Sequence, residues 1–101
     1  MNVSETWSMP ADHPALPGHF PGQPIVPGVV LLAEAVRLAR ARLGLAEGAL
    51  SWQRVKFLAP VRPEQRVQFE LEGDANRFTF TITDADGQPI ARGQARHEPL
   101  A

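Results

Sequence analysis

Six of the ten prolines in this 101-residue chain, and three of its eight glycines, fall within residues 10–28. Proline removes backbone donors and fixes torsions, so neither a helix nor a central strand can run through that stretch. It reads as a loop, long for so small a chain, and loops of that length are usually functional or disordered. The proline restraint favours a functional loop. Where it stops, one segment free of both residues begins. In residues 29–43, Leu32, Val36, Ala39 and Leu43 recur at helical spacing and form a stripe expected to be buried. Glu34, Arg37 and Ala41 fall roughly opposite, and Gly44 is a natural terminator. Small and aliphatic residues between 33 and 41 would let the helix be covered on more than one side.

The remaining sequence has strand character. Residues 3–9 form a weak first strand, interrupted by Glu5 and Ser8. Residues 51–58 carry Trp52, Val55 and Phe57 in an imperfect alternation that suggests a bulge, with Trp52 and Phe57 expected to fill the core. Residues 66–72 alternate cleanly, Val67, Phe69 and Leu71 against Gln68 and Glu70, and Phe78, Phe80 and Ile82 oppose Thr79, Thr81 and Thr83. Residues 73–76 and 85–88 read as compact turns. A last strand, 89–97, places Ala91, Gly93 and Ala95 on one face, where something bulky could approach. The predicted order is strand, long loop, helix and four strands: an α+β domain spanning residues 1–101, its antiparallel hairpins wrapped around one apolar helix. Its core is thin for a monomer, and a dimer joining sheet edges and enclosing the loop would remedy this.

Composition narrows the function. The formal net charge of -1 argues against a strong nonspecific grip on nucleic acid. Cysteine is absent, which excludes disulfides, thiol nucleophiles and cysteine-ligated metals. The first residues do not read as a signal peptide, and the apolar run at 29–36, broken by Glu34, is far short of a membrane span. A soluble cytoplasmic protein is the expectation.

Chemistry concentrates in Leu16-Pro-Gly-His19-Phe-Pro-Gly22-Gln-Pro-Ile-Val-Pro27-Gly28. Here one imidazole and an aromatic anchor, Phe20, sit on a restricted backbone that leads into a helix start. An imidazole can move a proton at neutral pH. The unpaired amides of a helix start suit a carbonyl that develops negative charge, with Gly28 the first candidate donor. His13 and His97 read as structural or exposed, and the three histidines lack a compact metal-ligand spacing. Arg37, Arg40, Arg42, Arg54, Lys56, Arg62 and Arg66 read as a solvated surface, from which a local cluster could attract an acidic carrier or its phosphate.

His19-Phe20-Pro21-Gly22, Pro24 and Pro27-Gly28-Val29, followed by the helix, closely resemble the hot-dog-fold 3-hydroxyacyl-acyl-carrier-protein dehydratases of fatty acid synthesis and related polyene pathways. A weaker resemblance runs through Val55-Lys56-Phe57-Leu58-Ala59-Pro60-Val61. The resemblance implies a hot-dog fold, a homodimer with each active site between subunits, an acyl carrier protein partner, and no metal or redox cofactor. It implies that His19 removes the proton alpha to a thioester carbonyl, which the Gly28 N–H binds. Phe20, Gly22, Gly28 and Val29 would line the substrate. Water would leave carbon 3 with help from a helix acid, giving a trans-2-enoyl thioester.

The sequence departs from the family at that acid. Fourteen positions beyond His19 stands Ala33, and Glu34 comes one residue later. One residue along a helix turns a side chain by about 100°, so Glu34 serves as the acid only if a π-bulge or an altered helix start rotates it into place. Otherwise it pairs with Arg37 at i,i+3. Two other functions fit the same features: a noncatalytic acyl-binding or partner subunit, and an acyl thioesterase.

Overall fold

The structure, a computed structural model, describes residues 1–12 and 25–98. His13, His19, Phe20, Gly22 and most of the proline-rich loop lie outside the described residues. Strand β1 (Asn2–Trp7) precedes helix α1 (Gly28–Leu38) and a π-helical turn (Ala39–Leu43), then β2 (Leu50–Phe57), β3 (Val67–Gly73), β4 (Arg77–Asp84) and β5 (Pro89–His97). All pairings are antiparallel, in the order β1-β3-β4-β5-β2. This is the expected α+β hot-dog architecture, one sheet and a single central helix.

Alternation in β3 and β4 decides which face is inside. Val67, Phe69, Leu71, Phe78, Phe80 and Ile82 are all buried, and the polar residues between them line the outer face. Trp52 packs edge-on against Phe78 and Phe80, at centroid separations of 6.1 and 6.0 Å, a favourable geometry for opposed ring quadrupoles. Gly93 provides the close approach expected of β5: a Cβ there would lie 2.9 Å from both Phe80 and Val55. Irregularity in β2 is also found. Its register with β5 shifts between Gln53 and Lys56, and Arg54 takes φ 55, so a bulge separates the two halves of the strand.

The helix corrects the expected stripe. Leu31, Ala35, Leu38, Ala39 and Leu43 are buried, whereas Leu32 and Val36 are only partly covered at the flank. The sheet therefore meets the helix about a third of a turn from where Leu32 and Val36 would put it. Small Ala35 and Ala39, each fully buried, let the helix approach the sheet closely. Gly44, at φ 75, ends the π-turn in the left-handed conformation. No helix among the described residues is long and apolar enough to cross a membrane.

Candidate active site

The site is built where α1 begins. Pro27 occupies the N-cap with extended torsions, φ -59 and ψ 142, and offers no side-chain acceptor. No acidic residue stands in the first turn. The Val30 N–H bonds the Pro27 carbonyl at 3.0 Å, but the N–H groups of Gly28 and Val29 find no backbone acceptor among the described residues. The positive end of the helix thus keeps two donors uncommitted by its own side chains.

The 55–61 segment closes over this helix start. Leu58 and Ala59 donate to the Ile90 carbonyl at 2.7 and 3.2 Å, fixing the end of β2 to β5, and Val26 donates to the Val61 carbonyl at 2.7 Å. The described end of the first resembling segment, from Val26 to Gly28, therefore meets the second in space. Phe57 does not fill the core as expected. It is 50% exposed, and its ring lies over Gly28, where an added Cβ would come within 2.8 Å of the ring. The cause is position: Phe57 ends β2 on the inner face, beyond the reach of the helix body. Sequence reasoning missed Phe57 and Leu58 as site residues; the Pro60 turn just after them was the available signal. With Val29, 72% exposed, they border an apolar hollow of about 540 Å³ at the head of the helix.

Glu34 lies elsewhere. From Gly28 to Leu38 the helix is regular, and the π-helical turn comes after Glu34, so it cannot alter the phase between Gly28 and Glu34. The largely covered Glu34 carboxylate accepts from Arg37 Nε at 2.9 and 3.1 Å and from Arg37 Nη2 at 2.6 Å. This hydrogen bonding, with the charge of Glu34, raises the Arg37 pKa above its ordinary value. Glu5, on the inner face of β1, completes the cluster 3.3 Å from Arg37 and 3.9 Å from Arg42. Ala33 is instead exposed with Val29, on the helix side facing away from the sheet. His97 serves structure: its Nε2 lies 2.8 Å from the Glu47 carbonyl.

Over residues 2–94 the chain matches the ApeI-like family model, described as ApeI dehydratase. A 3-hydroxyacyl-[acyl-carrier-protein] dehydratase FabZ from Aliarcobacter butzleri is 33% identical over 98 residues, covering 84% of this chain and 65% of that protein. The corresponding enzyme of Rhizobium rhizogenes is 32% identical over 77 residues, 69% of this chain and 49% of the relative. The chain thus spans about half to two thirds of these relatives' length. Among solved structures, the dehydratase heterocomplex ApeI:P from Xenorhabdus doucetiae shares the fold at TM-score 0.80 and 22% identity, over 94% of this chain and 85% of that one. The R-hydratase PhaJ1 from Pseudomonas aeruginosa does so at TM-score 0.64 and 16% identity, over 100% and 86%.

Proposed function

This chain belongs to the ApeI-like dehydratase family, and from that premise we propose that it dehydrates a 3-hydroxyacyl thioester to a trans-2-enoyl thioester. The observation that carries the reading is the hollow at the head of α1. There two amides, Gly28 and Val29, which find no backbone acceptor among the described residues, stand beside an apolar bed formed by Phe57 and Leu58. A thioester carbonyl seated on the Gly28 N–H gains charge stabilisation as the alpha proton leaves, an effect worth about 10²–10³ in rate per donor. The apolar bed suits an acyl chain. In this reading His19 takes the C2 proton, the C2 electron pair forms the double bond, and the C3 hydroxyl leaves as water. The hydroxyl takes a second proton as it leaves; Glu34, the sole carboxylate of α1, is held by Arg37 on another side of a regular helix, so it donates that proton only if the helix start rearranges around the bound thioester. The working unit is a homodimer, and the acyl group arrives on an acyl carrier protein or coenzyme A in the cytoplasm.

A second reading rests on the pairing of Glu34 with Arg37 beside an exposed Ala33. The chain then supplies the histidine half of a site whose acid comes from a different subunit, or it binds acyl groups without turnover. Purified protein mixed with 3-hydroxyacyl thioesters of several chain lengths, on carrier protein and on coenzyme A, decides between them. Interconversion with the enoyl thioester, lost in His19→Ala with the fold intact, supports the first. Unchanged turnover in Glu34→Gln removes Glu34 as the donor, and a gain in Ala33→Asp supports the second. Hydrolysis to free acid in place of dehydration would make the protein a thioesterase.

A further inference from the structure

Both ends of the segment between Met9 and Val26, which carries His19, are held by one short stretch of chain. The Val26 N–H donates to the Val61 carbonyl at 2.7 Å, and the Glu64 N–H donates to the Met9 carbonyl, also at 2.7 Å. Three residue steps separate Val61 from Glu64, no more than about 11 Å. Met9, Val26 and Val61 are all buried, so these bonds tie the segment to the core. The two anchors differ in their support. Val61 closes the stretch that Leu58 and Ala59 fix to the Ile90 carbonyl. Glu64 depends on the turn in which it sits.

That turn is Arg62-Pro63-Glu64-Gln65. The Gln65 N–H donates to the Arg62 carbonyl at 3.2 Å, and Gln65 Oε1 accepts from the Arg62 N–H at 2.9 Å. Pro63 supplies the fixed torsion of the first central position. Glu64 follows at φ 66, a left-handed conformation that this turn shape ordinarily gives to glycine and that strains any other residue. The Glu64 side chain is exposed and makes no ion pair among the described residues, so it does not offset the strain. What the conformation achieves is the aim of its N–H at Met9. Strained torsions persist where the surrounding structure dictates them, and they gather at functional sites.

We infer that Gln65 is a positioning residue for the chemistry of His19. Its carboxamide closes the turn, the closed turn aims the Glu64 N–H at Met9, and that anchor fixes where the histidine segment leaves the fold. This role rests on the dehydratase reading, in which His19 takes a proton. Proton abstraction is unforgiving of position: a displacement of about 1 Å can cost about 10² in rate. The carbonyl seat is held separately, because Gly28, Phe57 and Leu58 are fixed from the Val61 and Ile90 side. Loosening the turn therefore disturbs the base and leaves the thioester seat in place, which separates kcat from KM.

The test compares Gln65→Ala, Gln65→Glu and Glu64→Gly with the native chain, each at full length. Gln65→Ala should lower kcat ~10-fold or more, with KM for a 3-hydroxyacyl thioester within about two-fold and Tm within ~5 °C. Hydrogen exchange at the Glu64 amide should quicken ~10-fold as the Met9 bond opens. Gln65→Glu keeps an acceptor oxygen and should return both kcat and protection. Glu64→Gly keeps the N–H and releases the strained torsion, so it should melt ~2–5 °C higher. Native kcat in Gln65→Ala with Glu64 exchanging faster would overturn the inference, as would a rise in KM that matches the loss of kcat, or no rescue by Gln65→Glu. If the native chain turns over no thioester, the dehydratase reading falls. The turn then stands as the segment's anchor if Glu64 exchange still responds to Gln65 in this way, and falls too if it does not.

Discussion

Replacing Gly93 by alanine, and Gly28 by alanine in parallel, isolates what the sheet core demands from what the site demands. The two added methyl groups meet nearly the same obstacle: a Cβ at Gly93 would lie 2.9 Å from the Phe80 ring, and one at Gly28 would lie 2.8 Å from the Phe57 ring. The rings differ in freedom. Phe80 is 2% exposed and wedged between Trp52 and Phe78, and Val55 closes the other side of Gly93 at the same 2.9 Å. It cannot yield without moving the core, an overpacking that costs about 1–3 kcal/mol. For a chain of this length that lowers Tm by roughly 5–20 °C. Phe57 is 50% exposed and can swing aside, so Gly28→Ala should change stability by about 0.5 kcal/mol or less. In moving, the ring enters the hollow, and the new methyl crowds the Gly28 amide, so turnover should drop while the melt stays put. Thermal melts with urea titrations give the stabilities, and enoyl thioester formation gives the activity. Equal destabilisation in both variants would refute the reasoning, as would an unaffected Gly93→Ala.

Three further outcomes are expected. Phe69→Ala, which empties a fully buried position, should cost about 3–5 kcal/mol, measured by urea unfolding. Arg37→Ala removes an exposed guanidinium from Glu34 and Glu5 and should change stability by about 1 kcal/mol, by the same assay. The Asn76 and Arg77 amides that bond Asp74 at 2.8 and 3.2 Å hold its carboxyl below the ordinary range. Its support of the β3–β4 hairpin is therefore full above the unfolded-state value and is lost as pH falls through the folded one. Urea midpoints taken from about pH 6 to about pH 2.5 should fall more steeply for the native chain than for Asp74→Asn, and parallel curves would refute this.

Where one physical constraint dominates, sequence and structure coincide. Alternation of Val67, Phe69 and Leu71 with charged residues leaves one way to bury the strand, and the hairpin with Phe78, Phe80 and Ile82 follows. The broken pattern of β2 signalled its bulge because Arg54 and Val55 together stand opposite Gly93, which interrupts the alternation of faces. Helical spacing allowed two neighbouring stripes, and the choice of Leu31, Ala35 and Leu38 over Leu32 and Val36 was settled by how closely alanine lets the helix approach the sheet. Phe57 was misjudged because hydrophobicity reports a preference for burial and not where a strand ends. Glu34 was correctly offered Arg37 as a partner at i,i+3, since that contact is local. His19, His13, Phe20 and Gly22 stand outside the described residues, so their roles rest on the sequence alone.

The most direct measurement is a crystal structure of the protein with a nonreactive 3-hydroxyacyl thioester analogue bound. The account predicts the thioester oxygen within about 3 Å of the Gly28 N–H, the His19 imidazole within hydrogen-bond reach of carbon 2, and the acyl chain against Phe57. An analogue bound away from the head of α1, or an imidazole turned toward a different surface, would contradict it.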